Sequence, residues 1–211
     1  MSTSYMGKLA RINLSTGEIK IEQLDLDLAK KFIGGRGLGT KILYDEGVAT
    51  VDPLSEENKL IYITGPMTGT RALSSGRYMV VTKSPLTGMI GCSNSGGVWG
   101  AKLKCAGWDA IIVEGKAPEW SYINIVDDKN EIHPAADYVG KMSEEVDEKL
   151  KEAHPGCRVL NIGPAGENLS MLAAIMNDKD RAAGRGGCGA VMGSKLLKAS
   201  TVTSTANAID G

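Results

Sequence analysis

Apolar and polar residues alternate at the start of the chain. Lys8-Leu9-Ala10-Arg11-Ile12-Asn13-Leu14 and Ile19-Lys20-Ile21-Glu22 flank the turn Ser15-Thr16-Gly17-Glu18, which predicts a β-hairpin. A helical spacing follows at Leu28, Ala29, Phe32 and Ile33. Asp25 or Asp27 is its expected cap, and Gly34-Gly35 its stop before a second helix around Thr40 to Tyr44. Short β-rich runs bounded by Gly, Pro, Asn or Asp then recur at Leu60 to Thr64, Tyr78 to Thr82, Ala110 to Glu114, Tyr122 to Val126, Arg158 to Ile162 and Met171 to Met176. Two more helices fit the pattern: Gly97 to Cys105, and Ser143 to Ala153 with Ser143 as N-cap and Val146, Leu150 and Ala153 on one face. The helices fall between groups of strands without a steady βαβ rhythm, so the expected class is α+β with mixed β-sheets.

The chain also echoes itself. Ile63-Thr64-Gly65-Pro66 returns in form as Asn161-Ile162-Gly163-Pro164, each at the end of an expected strand. Asn94-Ser95-Gly96-Gly97 leads to Lys102-Leu103-Lys104, and Gly184-Arg185-Gly186-Gly187 leads to Lys195-Leu196-Leu197-Lys198. Both read as a Gly-Gly loop opening a small-residue helix that ends in lysines. Glycines admit close approach of a ligand to the backbone, and a helix start offers free N–H groups to an anion. Arg77, Arg181 and Arg185 lie beside these small-residue loops, and arginine pairs with phosphate in bidentate fashion.

Composition narrows the chemistry. The 211 residues include 27 glycines, near twice the usual share of about 7%. With 24 Lys plus Arg against 25 Asp plus Glu, the chain lacks the positive balance of a broad nucleic-acid binder, and any polyanion site must be local. Its longest apolar runs, such as Ala110 to Val113, fall far short of the about 20 residues of a membrane span. Met1-Ser2-Thr3-Ser4-Tyr5-Met6-Gly7-Lys8 lacks the apolar core of a signal peptide, so the expected compartment is cytoplasmic. Cys92, Cys105, Cys157 and Cys188 form no Cys-x-x-Cys pair and read as thiols rather than metal ligands. Gly34-Gly35-Arg36-Gly37-Leu38-Gly39 does not fit a dinucleotide fingerprint, and neither a P-loop nor a Gly-x-Ser-x-Gly elbow occurs. His133 and His154 are assigned no catalytic role.

With these loops the chain resembles the amino-terminal domain of the tungsten-containing aldehyde ferredoxin oxidoreductases, over about residues 7 to 198. The resemblance rests on Gly34 to Leu38, Gly65-Pro66-Met67-Thr68-Gly69-Thr70, Gly76-Arg77-Tyr78, Thr82 to Gly88, Asn94 to Gly97 and Ala106 to Ala110. It continues through Ile162 to Asn168, Ala174 to Asn177, Arg181 to Gly187 and Gly189 to Lys195. It implies an α+β unit of two related halves that forms the base for a bis-pterin tungsten (or molybdenum) cofactor. By motif match, Arg77, Asn94, Gly96, Arg181, Ala182 and Gly184 would contact that cofactor. Asn94, through its side-chain oxygen, and Ala182, through its carbonyl, would complete the shell of a magnesium ion bridging the two pterin phosphates.

The reaction implied for the complete enzyme is oxidation of an aldehyde to a carboxylic acid, with electrons passing through a four-iron four-sulfur cluster to ferredoxin. Enzymes of this family continue into further domains that carry the cluster cysteines and the acid-base residues, so the chain reads as a fragment, a truncation or one piece of a split enzyme, inactive alone. Its partners would be those domains or subunits, and an uncovered cofactor face would favour a homo-oligomer. Residues 7–199 are the expected cofactor domain, and 200–211 a polar tail that is disordered or vector-derived. Two other readings fit the same residues: a non-catalytic pterin carrier, and a subunit of a related aromatic-ring-reducing complex.

Overall fold

The opening alternation folds as a hairpin. In the computed structural model, which describes residues 4–207 and 209, Lys8–Asn13 (β1) pairs antiparallel with Ile19–Gln23 (β2), Ala10 opposite Ile21 and Ile12 opposite Ile19. The Asp25 carboxylate accepts the Asp27 and Leu28 N–H groups and starts Leu26–Phe32 (α1). The second helix, Gly35–Asp45 (α2), begins directly after Gly34, well before Thr40. Its glycines serve packing: a Cβ on Gly39 would come within 2.8 Å of Val81 Cγ2.

The first half continues as Leu60–Ile63 (β3), Tyr78–Lys83 (β4), Ile90–Ser95 (β5), Trp99–Cys105 (α3) and Ala110–Glu114 (β6). Its six-stranded sheet has the order β2-β1-β6-β3-β4-β5. The second half comprises Ser121–Val126 (β7), Lys129–Pro134 (β8), Ser143–Ala153 (α4), Arg158–Asn161 (β9), Pro164–Glu167 (α5), Ile175–Asn177 (β10), Arg181–Ala183 (β11), Cys188–Ser194 (α6) and Leu197–Thr203 (β12). Read from its β8 edge, the order is β8-β7-β12-β9-β10-β11. Adding six to each strand number of the first sheet therefore reproduces the second. The strand directions agree as well: β1 with β6 and β7 with β12 are the parallel pairs, and the other pairs are antiparallel. This is an α+β fold of two related halves.

One large core joins the sheets. Tyr62, Tyr78, Val80 and Ile111 from the first meet Ile123, Leu160, Ile175 and Val202 from the second, with Trp99 and Leu103 of α3 and Val191 and Met192 of α6. The alternate residues Ile61, Ile63, Val81 and Ile112 face outward under Leu38 and Leu43 of α2. Val146 and Leu150 of α4 cover Tyr122, Val159 and Ala199 on the other side. Strands buried on both faces need continuous apolar runs, which is why these segments lack clean alternation.

Four further expectations change. The strand expected over Met171 to Met176 shrinks to Ile175–Asn177, because Met171 and Leu172 are exposed. Met142 rather than Ser143 caps α4, its N–H held by the Glu145 carboxylate at 3.1 Å. Helix α6 stops at Ser194, Leu196 turns the chain at φ 54°, and Lys198 lies in β12 rather than at a helix end. The tail drawn from Ser200 is also displaced, since Ser200 to Thr203 lie in β12 between β7 and β9. Small and β-branched residues suit that two-sided position, and the Thr201 hydroxyl donates to Asn124 Oδ1 at 2.7 Å. Ser204 to Asn207 extend past the strand, while Ala208, Asp210 and Gly211, like Met1 to Thr3 of the leader reading, lie outside the described residues. Among the described residues, no helix is long and apolar enough to cross a membrane.

Candidate functional site

Strands β5 and β11 end their respective sheets and lie side by side. Alternation on β5 buries Ser93 and Ser95 and leaves Asn94 exposed; on β11, Ala183 is buried while Arg181 and Ala182 are exposed. Arg77, just before β4, donates from Nη1 to Asn94 Oδ1, and Asn94 Nδ2 lies 3.1 Å from Met79 Sδ. A cleft of about 600 Å³ opens here, lined by Ser74, Gly76, Arg77, Asn94, Gly96 and Gly97 from one half and Asp180, Arg181 and Ala182 from the other. The structure thus gathers Arg77, Asn94, Gly96, Arg181 and Ala182 around one cavity. Gly184 follows β11 outside the lining, and Arg185 is exposed beyond it, its backbone N–H donating to the Ser93 hydroxyl at 2.9 Å.

The glycines divide by what surrounds them. A Cβ on Gly76 would come within 2.6 Å of the Gly97 carbonyl, and one on Gly97, at φ +85°, within 2.3 Å of Asp178 Oδ2. Those two are demanded by the fold. A Cβ on Gly96 would meet only Arg77 Cζ, at 4.0 Å, and otherwise point into the cleft. The space beside Gly96 is therefore open.

Charge in the cleft comes from two guanidiniums, Arg77 and Arg181, with Asp180 at its rim 3.8 Å from Arg181 Nε. The expected use of a helix start as an anion seat fails at α3: the Asp178 carboxylate already accepts the Val98 N–H at 2.5 Å and the Trp99 N–H at 3.3 Å. At α6 the helix is buried, and Gly189 donates to the Ala173 carbonyl. Binding power for an anion rests with the arginines and the open loop. The donor set fits a phosphorylated ligand: planar guanidinium forks for phosphate, and an amide oxygen and a main-chain carbonyl of the kind a small hard cation takes.

Sequence reasoning misses Asp178, Asp180 and the role of Asn177. Asn177 ends β10, and Asp178 and Asp180 follow it in a turn with Asp178 and Lys179 at positive φ; the cluster Asn177-Asp178-Lys179-Asp180 is the signal that marks it. The cysteines are placed apart from the cleft lining. Cys157 and Cys188 are buried, and burial pushes each thiol up to about 11; Cys92 and Cys105 are half-buried.

Comparison with known proteins gives a consistent picture. The model of the aldehyde ferredoxin oxidoreductase N-terminal domain matches residues 9–204. A tungsten-containing aldehyde ferredoxin oxidoreductase of Pyrococcus furiosus is 56% identical over 198 residues, 93% of this chain and 33% of that protein. The WOR-like subunit of an aliphatic sulfonate oxidoreductase from the same organism is 42% identical, over 93% of this chain and 34% of that protein. Among solved structures, the active site complex BamBC of benzoyl coenzyme A reductase, in complex with 1,5 dienoyl-CoA, superposes with a TM-score of 0.95 at 39% identity, covering 99% of this chain and 32% of that one. The chain spans about a third of the length of the curated relatives it matches.

Proposed function

Because the chain belongs to the aldehyde ferredoxin oxidoreductase family through that family's N-terminal domain, we propose that the cleft between β5 and β11 seats the phosphates of a bis-pterin tungsten cofactor. The observation that carries this reading is the meeting of Arg77 and Arg181, one from each half, around the open Gly96. Each guanidinium would take one phosphate in a bidentate pair. Gly96 in the lining, with Gly184 just beyond it, would admit the ligand against the main chain, and Asn94 Oδ1 with the Ala182 carbonyl would supply oxygen ligands to a magnesium ion that accompanies the phosphates. Asn94 Oδ1 has two lone pairs, so it can serve Arg77 and a cation together.

When bound, the cofactor supplies the two-electron redox chemistry; this chain's residues bind, orient and neutralise it. In the whole protein the reaction would be oxidation of an aldehyde to a carboxylic acid, with electrons leaving by an iron-sulfur cluster to ferredoxin, both outside this chain. The chain alone would be inactive, and the enzyme cytoplasmic. Identity of 56% to an aldehyde enzyme against 42% and 39% to sulfonate and benzoyl coenzyme A relatives favours the aldehyde substrate. That one domain is similar to parts of all three supports a role in holding cofactor rather than selecting substrate.

The test is metal and pterin content of the full protein, parent against an Arg77→Ala/Arg181→Ala variant. We expect the variant to lose at least about tenfold, since each charge-assisted pair contributes about 1.5–3 kcal/mol. Equal content in the two would overturn the reading. The same metal analysis distinguishes tungsten from molybdenum.

A further inference from the structure

Neither Gly-Gly loop is held by its own half alone. Beneath Gly96-Gly97 lies Asn177, the buried last residue of β10, with all four hydrogen-bonding positions of its amide in use. Its Oδ1 accepts from the Tyr78 hydroxyl at 3.0 Å and the Ser95 hydroxyl at 2.7 Å. Its Nδ2 donates to the Gly96 carbonyl at 2.9 Å and to Asp178 Oδ2 at 3.1 Å. Apart from Asp178, every partner belongs to the first half.

The reciprocal contact is present. Ser84, the buried residue directly after β4, donates its hydroxyl to the Gly186 carbonyl at 2.7 Å. Pro85, its neighbour, closes the space beside Gly187, where a Cβ would come within 3.1 Å of the proline ring. Strands β4 and β10 hold the same place in the repeated order, so the tips of two corresponding hairpins are exchanged between the halves. Each grips the carbonyl of the first glycine in the other half's loop.

We infer that Asn177 and Ser84 are positioning residues, each fixing from the opposite half the peptide that shapes a glycine loop. The inference rests on the reading that these loops receive the phosphorylated cofactor, and it adds that the loops take their shape only when the two halves are docked. The geometry explains how. A trans peptide sets its N–H opposite its C=O, so drawing the Gly96 carbonyl onto Asn177 turns the Gly97 N–H away from that side chain. The following glycines sit at φ +85° and +68°, a conformation that side-chain-bearing residues resist.

Hydrogen exchange on the full protein tests this, with Asn177→Asp, Ser84→Ala and the hydroxyl-keeping Ser84→Thr. Asn177→Asp keeps the acceptor for Tyr78 and Ser95 but replaces the donor to Gly96. It should speed exchange about three- to tenfold in residues 94–99 and leave 184–189 unchanged. Ser84→Ala should do the converse, and Ser84→Thr should restore the parent rate. Faster exchange confined to the mutated hairpin, with the opposite loop unmoved, would overturn the inference. If Asn177→Asp does not fold, the Ser84 pair decides. Pterin content separates this inference from the reading beneath it. A parent without pterin defeats the cofactor reading and leaves exchange to decide whether Asn177 and Ser84 position the loops. A parent that retains pterin, with variants that retain as much, defeats the positioning role of Asn177 and Ser84 alone.

Discussion

Each half buries a lysine against a carboxylate beneath its Gly-Pro corner, from a different element in each. In the first, Lys104 of α3 sits on Asp109 and donates to the Gly65 carbonyl at 3.3 Å, while Asp109 also accepts the Gly7 N–H at 2.7 Å. In the second, Lys198 of β12 sits on Glu167 and donates to the Ile162 carbonyl at 2.6 Å, while Glu167 also accepts the Gly140 N–H at 2.9 Å. Burial pulls both ammonium groups below the usual lysine range, against the pull of their carboxylates. The halves agree in which groups must be satisfied, not in which position supplies the lysine, because a long side chain reaches the same corner from helix or strand. The cleft differs in another way. The first half contributes the Arg77 and Asn94 side chains, the second Arg181 and the Ala182 backbone, so the packing is repeated and the chemistry is divided.

Removing one lysine at a time tests whether the two corners are equivalent. Lys104→Met leaves Asp109, whose side chain is 3% exposed, with an unpaired buried charge, and should cost about 3–5 kcal/mol in denaturant unfolding. Lys198→Met should cost less, about 2–4 kcal/mol, because Glu167 is 9% exposed and can hydrate. A larger loss from Lys198→Met would mean the corners are not held in equivalent fashion.

Next in size is the seam of the second half where α6 packs on α5. A Cβ on Gly193 would fall 2.0 Å from the Gly166 carbonyl oxygen, and backbone cannot swing aside as a side chain would. Gly193→Ala should cost about 3 kcal/mol, read as a drop in the thermal midpoint. A neutral result would show that α5 moves freely and that the helix pair is no part of the joint core.

A third buried lysine crosses between the halves: Lys195 donates to the Glu56 carbonyl at 3.2 Å and the Gly115 carbonyl at 3.0 Å, and also to that of Asn58. Burial, with Lys59 nearby, pushes it down to about 8, against Glu114 and Glu56. Its unfolded value is near 10.5, so between pH 8 and 10.5 the unfolded chain holds the extra proton and stability from this group rises with pH. Below pH 8 both states are protonated and the dependence vanishes. The expected slope is up to about 1.4 kcal/mol per pH unit. Denaturant unfolding from pH 7 to 10 should show that rise in the parent and a flatter profile in Lys195→Met; identical profiles would refute it.

Whether an element is legible in the sequence depends on the range of the contacts that form it. The hairpin of β1 and β2 and the two Gly-Pro corners are local and were legible, and the cap of α1 was narrowed to Asp25 or Asp27, of which the structure uses Asp25. Strands β5 and β12 were not, because Ile-Gly-Cys-Ser-Asn-Ser and Leu-Lys-Ala-Ser-Thr-Val-Thr look like loop and tail until a neighbour buries them. Arg77, Asn94 and Arg181 stood out by their loops. Asn177 did not, since its bond to Gly96 spans 81 positions and the run Asn177-Asp178-Lys179-Asp180 at the end of a short strand signals only a turn.

The smallest expected effect on stability separates the two kinds of glycine. Gly193 is closed in by backbone, whereas Gly96 borders the cleft and a methyl there would meet nothing nearer than Arg77 Cζ at 4.0 Å. Gly96 also lacks the positive φ that makes Gly97 irreplaceable. Gly96→Ala should therefore shift unfolding by no more than about 0.5 kcal/mol. The same methyl would stand where the cofactor is proposed to approach the main chain, so pterin content should fall although the fold is intact. Loss of stability without loss of pterin would place Gly96 with the packing glycines and remove the open loop as a support for the cofactor reading.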